Sequence, residues 1–204
     1  MSERNAELKP PVWAEHVLRL LLKPEDRESV SGDLLEEYRE SVCPSRGRAG
    51  ADLWYVGQVT GFLWRAAWPW GVLFSASFVG RTALDWFDPP ADFRMRASVT
   101  TYTAVSLFVA AGFWAAWRAR SLGAAALTAI GTSIIAAIVS ISSALVMLAI
   151  WHDPQTFGAI DHSGGLGEVF TLPLFVIVPG TVCALVGGIV GRIAASVCRS
   201  HAVE

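Results

Sequence analysis

Apolar and polar positions along this chain follow two regimes, an amphipathic one up to about residue 64 and a long-run apolar one after it. Pro10 and Pro11 open the first helix by presetting φ where backbone donors lack partners anyway. Trp13, Val17, Leu20 and Leu21 recur at helical spacing as one apolar face, leaving Glu15, His16 and Arg19 elsewhere on the cylinder. Pro24 ends that helix and starts a second, placing Glu25, Asp26 and Glu28 where the helix dipole favours anions. The second helix is expected to bury Val30, Leu34, Leu35, Tyr38 and Val42, and to expose Asp33, Glu36, Glu37, Arg39 and Glu40. Residues 43–50 read as a loop by their Pro and Gly content. A third amphipathic helix over 53–65 carries Trp54, Tyr55, Gln58, Val59, Phe62 and Leu63. It runs into Trp64, Arg65, Trp68 and Trp70, a cluster suited to a membrane interface.

Beyond this the charges thin out. Residues 97–117, 121–152 and 169–191 contain no Asp, Glu, Lys or Arg over 21, 32 and 23 positions. A helix rises about 1.5 Å per residue, so about 20 apolar residues cross a hydrocarbon core of roughly 30 Å. Membrane spans are expected over about 97–117, 124–150 and 169–191. A fourth, over about 66–87, is drawn past Arg81 and Asp85 because residues four apart share a helix face and can pair near the membrane boundary. The fold class expected is all-α: a short helical module over 1–52, the interfacial helix, and a four-helix transmembrane bundle over 66–204.

Composition agrees with a membrane protein: 53% of residues are hydrophobic and 17% charged, and mean hydropathy is +0.44. Residues 1–52 carry 8 Lys and Arg against 11 Asp and Glu, so the head is acidic and nucleic acid is not an expected partner. The polar residues 1–11 and the short patch Val17–Leu22 do not read as a signal peptide. Assigning the head, the 118–120 turn and the tail to one side gives 13 Lys and Arg against three in the other connections. The positive-inside rule then places both termini in the cytoplasm.

Small or hydroxylated residues recur every four positions at Ala124, Thr128, Thr132, Ala136, Ser140 and Ala144, and again at Gly180, Ala184 and Gly188. Such strips let two helix backbones approach closely in lipid, within the chain or in a homo-oligomer. Pro173 and Pro179 predict a kink in the last span. His152, Asp153, Asp161 and His162 share the 151–168 connection, but their spacing defines no ligand geometry, and Cys43, Cys183 and Cys198 stand far apart. No metal or other cofactor is expected. No phosphate-binding Gly loop, Ser-His-Asp set or buried carboxylate pair emerges, and the chain is expected not to be an enzyme.

The head carries a more specific pattern. Pro10-Pro11-Val12-Trp13-Ala14, Leu18, Lys23-Pro24-Glu25-Asp26-Arg27-Glu28, Gly32-Asp33-Leu34-Leu35-Glu36-Glu37-Tyr38-Arg39, and Trp54-Tyr55 with Gln58 resemble the permease prefix domain of acidobacterial permeases of the macrolide-exporter type. The resemblance spans residues 10–65. It implies a cytoplasmic helical module attached to an exporter component, with Leu34, Leu35, Tyr38, Trp54 and Tyr55 as its core. The exposed Asp33, Glu36, Glu37 and Arg39 are then the candidate surface for docking a protein partner. Those permeases carry a large domain between their first two membrane helices, where this chain has only residues 88–96, and no nucleotide-binding motif accompanies the head. The expected role is therefore an accessory or regulatory partner of a transporter. A membrane-anchored regulator sequestering a transcription factor and a small oligomeric transporter or channel are the competing readings.

Overall fold

A computed structural model describes residues 8–200. Of the described residues 88% are helical, and none is in a strand. Its helices are α1 (Val12–Leu21), α2 (Arg27–Glu37), α3 (Cys43–Phe87), α4 (Arg94–Ala119), α5 (Leu122–Ile150), α6 (Pro154–His162), α7 (Gly165–Phe175) and α8 (Ile177–Ser200), with a π-helical turn, Tyr38–Val42, joining α2 to α3.

The 45-residue α3 is the backbone of the molecule. Its start has one non-helical residue, Gly47, at φ 68° and ψ 173°, a conformation glycine adopts without a Cβ penalty. The segment 43–50, expected as a loop, thus holds a break at Gly47, where one short helical piece ends and the long helix begins. Beyond Gly47 the helix runs without interruption to Phe87, roughly 60 Å at the helical rise. The separate interfacial helix expected over 53–65 is accordingly continuous with 66–87. Pro69 does not break it.

The first half of α3 closes a small core. Ala51, Tyr55 and Val59 pack with Ala14, Leu18 and Leu22 of the α1 segment and with Tyr38 and Val42. Tyr38 and Tyr55 meet edge to face, centroids 6.0 Å apart at 88°. The buried stripe of α1 is therefore one position away from the expected face: Trp13 is 59% exposed, while Ala14 and Leu18 are sealed. A small residue and a leucine fit under α3 where an indole would not. Leu34 and Trp54 pack at the edge of this core, and Leu35 is half-buried.

The second half of α3 packs along α5. Gly71 faces Ile135, Gly131 faces Ala67, and Thr132 Oγ1 donates to the Ala67 carbonyl at 3.4 Å. All six strip positions of α5, Ala124 to Ala144, are only 1–2% exposed. Gly180, Ala184 and Gly188 are likewise buried, and a methyl at Gly188 would press on Ala125 at 2.8 Å. The tightest crossing is α4 on α8. A Cβ at Gly112 would strike the Ala184 carbonyl, and one at Gly187 the Val109 carbonyl. The last predicted span divides at Val176 into α7 and α8, with Pro173 and Pro179 flanking the break.

Two replacements separate backbone contact from open space. Gly187→Ala must push α4 and α8 apart, at a cost of about 1–3 kcal/mol or more. Gly80→Ala meets nothing within 4 Å and should be neutral or slightly favourable in a helix. Thermal unfolding of the detergent-solubilised protein should therefore drop by several degrees for Gly187→Ala and hold for Gly80→Ala. Equal midpoints would refute the close crossing.

Candidate functional site

In the head, α2 and the π-helical turn carry Asp33, Glu36, Glu37 and Glu40, all exposed. Positions 33, 36, 37 and 40 follow helical spacing, so the four carboxylates form one stripe. None of them takes part in an ion pair among the described residues, whereas Glu15 and Glu28 are both met by Arg19, at 3.2 and 3.9 Å. Arg39 departs from this surface. It is half-buried, and its Nε donates to the Leu8 carbonyl at 2.8 Å, tying down the chain ahead of α1. The exposed stripe is thus purely acidic.

Behind the stripe, Tyr38 Oη donates to Asp52 Oδ1 at 2.7 Å. Burial, reinforced by this bond, pushes the Tyr38 phenol well above its ordinary value, and burial raises Tyr55 as well, with Glu15 adding to it. The Tyr55 hydroxyl has no hydrogen-bond partner among the described residues. Both phenols favour the protonated state more in the folded head than in the unfolded chain. Stability from this source is complete below the unfolded value of 10.0 and is lost as pH rises past it. The head should unfold more readily above about pH 10. Tyr38→Phe should flatten part of that alkaline limb while costing about 0.5–1.5 kcal/mol at neutral pH. Circular dichroism against pH reads both, and an unchanged limb would count against the Tyr38 contribution.

The head is fixed to the helices that follow by a residue whose role no periodicity marks. Arg27 Nη2 donates to the Ala119 carbonyl at 2.7 Å, and its Nε to the Leu22 carbonyl at 3.3 Å. Ala119 ends α4, and Arg120 after it takes the left-handed conformation at φ 52°. A guanidinium thereby satisfies an orphan C-terminal carbonyl at the negative end of the helix dipole. Leu20 of α1 lies against the first turn of α5 at Gly123.

At the far end, α3 and α4 build a charge cluster. Arg81 Nε approaches Asp85 Oδ2 at 3.1 Å, as their four-residue spacing predicts. Arg96 Nη1 reaches the other oxygen, Asp85 Oδ1, at 3.3 Å, and its Nη2 meets Asp88 Oδ2 at 3.2 Å. The Asp85 side chain is 4% exposed, so both its oxygens are held by cations away from solvent. Two arginines and two aspartates cancel in charge, which suits a cross-link between helix ends. The Arg96 contribution escapes local periodicity because it comes from across the α3–α4 turn. Trp86, Ala144, Ile160 and Val169 pack together at this same end.

The polar residues of the 151–168 connection have local work. Asp153 caps α6, its Oδ1 accepting from the Gln155 and Thr156 amides at 3.0 Å each. These bonds hold its carboxyl below the usual range. His162 Nδ1 lies 2.6 Å from the Gly158 carbonyl of its own helix. Among the described residues no group of three or more His, Cys, Asp or Glu side chains gathers as a metal site. Cys43 and Cys183 are half-buried and Cys198 exposed, all three as free thiols.

Among the described residues three helical stretches, Arg94–Ala119, Leu122–Ile150 and Gly165–Cys198, are long and apolar enough to cross a membrane, which is compatible with a multi-pass membrane protein. Comparison with protein-family models, curated proteins and solved structures gives no match.

Asp85 is the buried carboxylate that both Arg81 and Arg96 approach. Asp85→Asn weakens both contacts at once and should cost about 3 kcal/mol. Arg96→Gln keeps the Arg81–Asp85 pair and should cost less than half as much. Thermal unfolding of the two variants checks the order, and a milder Asp85→Asn would contradict the cluster's role.

Proposed function

We propose that this chain is a multi-pass bacterial inner-membrane protein, non-enzymatic, that serves as an accessory or regulatory partner of a transporter. In this reading residues 66–87 of α3 form a fourth span beside the three apolar stretches. Both termini lie in the cytoplasm, in accord with the 13 to three division of Lys and Arg. The outward surface of the helical body supports the membrane placement. Ile134, Ile138, Leu145, Val146, Val178, Val182 and Val186 point outward, Ile138 at 60% exposure, while alanine, glycine, serine and threonine fill the interior. Large apolar side chains outside and small ones inside suit a lipid solvent.

The observation that carries the functional reading is the unpaired acidic stripe Asp33, Glu36, Glu37 and Glu40, on a head whose central helix continues into the body. Such a stripe suits a basic cytoplasmic segment of a transporter component, where complementary charge sets orientation and encounter rate. The resemblance of residues 10–65 to the permease prefix domain points to the same class of partner.

The test uses the full chain in native membranes. A reporter fused after Asp161 should read extracytoplasmic and one after Arg120 cytoplasmic. A photo-cross-linker at Glu40 should then capture a transporter component. Glu36→Lys with Glu37→Lys should lower that capture about tenfold while leaving the thermal midpoint in place. Capture of transcription machinery would favour the sequestering regulator. Capture indifferent to the double reversal would remove the docking role.

A further inference from the structure

Where the head meets the helical body, two adjoining hollows of about 570 and 380 Å³ share Lys23, Trp114 and Arg118 in their walls. Arg120 lines the first and Arg65 the second, so four cations from four parts of the chain converge on one groove. Lys23 comes from the α1–α2 link, Arg65 from α3, Arg118 from the end of α4 and Arg120 from the turn after it. Among the described residues, the carboxylates lining the hollows are Glu25 and Asp26. None of the four cations makes a hydrogen bond or ion pair among the described residues. This contrasts with the far end, where Arg81 and Arg96 are held by aspartates. The walls are otherwise aromatic and apolar. Trp114 and Trp117 meet edge to face at 5.6 Å on the rim, and Trp70 and Phe62 line the second hollow. Thr128 lines it too; its hydroxyl is buried, the residue being 1% exposed, and has no hydrogen-bond partner among the described residues.

The geometry points to a binding site for the phosphate headgroup of an anionic phospholipid in this groove. The chemistry is that of a membrane boundary. Tryptophans favour the headgroup level, basic hollows between helices attract anionic headgroups, and a lipid phosphate or ester oxygen would offer the Thr128 hydroxyl an acceptor. The exposed apolar sides of α4 and α8 flank the groove and provide a surface for the acyl chains. A lipid seated here would touch the head at Lys23 and the body at Arg118, so it would act as a third element joining the two, beside the Arg27 clasp.

The experiment offers the full-length protein in detergent an equimolar mixture of phosphatidylglycerol and phosphatidylcholine with identical chains. Native mass spectrometry reads which is retained. Phosphatidylglycerol should exceed phosphatidylcholine about tenfold or more, and Lys23→Gln with Arg118→Gln should bring the ratio close to one. Arg94→Gln, a cation at the opposite end, should leave the ratio intact, as should the charge-keeping pair Lys23→Arg with Arg118→Lys. The charge-keeping pair also guards against a misfolded double variant. Equal retention of the two lipids overturns the proposal, as does a preference that survives the Gln pair or falls equally with Arg94→Gln. Displacement of phosphatidylglycerol by inorganic phosphate at matched concentration would make this a free-phosphate site, which overturns the lipid assignment.

Discussion

The constraint on which the rest of the molecule depends is that one helix belongs to two cores. Tyr55 and Val59 of α3 close the head, and Gly71, Phe74 and Phe78 of the same helix pack in the body. An α-helix resists bending between these points, since each turn is held by its own i to i−4 bonds. The angle of the head relative to the body is therefore set by how α3 lies on α5. Arg27 adds a second attachment on the other side of the head, at the Ala119 carbonyl. Two attachments from different elements restrict rotation in a way that one helix alone would not. A partner drawn to the acidic stripe would load the body through this joint.

Within the body, close packing is obtained by removing side chains rather than by interlocking them. At the α4–α8 crossing, backbone meets backbone at Gly112 and Gly187, and the α5 strip offers only Ala, Thr and Ser to α3. This arrangement gives up large buried apolar area in exchange for dispersion contact between main chains, which is sensible only where the surroundings are themselves apolar. The same logic explains why the isoleucines and valines sit outside. In water they would form an adhesive surface. Against acyl chains they are at home.

The parts of this fold legible in the sequence are those that depend on a period. The strip from Ala124 to Ala144 was visible because a four-residue repeat of small side chains has one structural meaning in a long uncharged run, and all six positions are buried. The Arg81–Asp85 pair was visible for the same reason of spacing. What periodicity misjudged was the α1 face. It favours the largest apolar residues, so it selected Trp13 over Ala14, while the tight space under α3 selects the reverse. Proline and glycine in 43–50 correctly marked an irregularity, but its nature, a single kink at Gly47 between two helical pieces, depends on how the chain must double back to bring Tyr55 onto Tyr38. Arg27, Arg96 and the four groove cations have no such signal. Their surroundings are set by how separate elements come together, across 92 residues in the case of Arg27 and Ala119.

The charges then sort themselves along the molecule in a way that composition alone hides. A net charge of −2 suggests a nearly neutral chain. In space there are three separate electrostatic zones: an unpaired acidic stripe on the head, unpaired cations at the junction, and a self-neutralised cluster of Arg81, Asp85, Arg96 and Asp88 at the far end. Paired charges at the far end stabilise a helix junction and have little reach, because opposite signs a few ångströms apart cancel beyond that distance. Unpaired charges keep their field out to about a Debye length, roughly 8 Å at physiological salt. The side chains left without partners are thus the ones able to act on something outside the chain. Two groups of them, the acidic stripe and the groove cations, lie at the head and at its junction with the body.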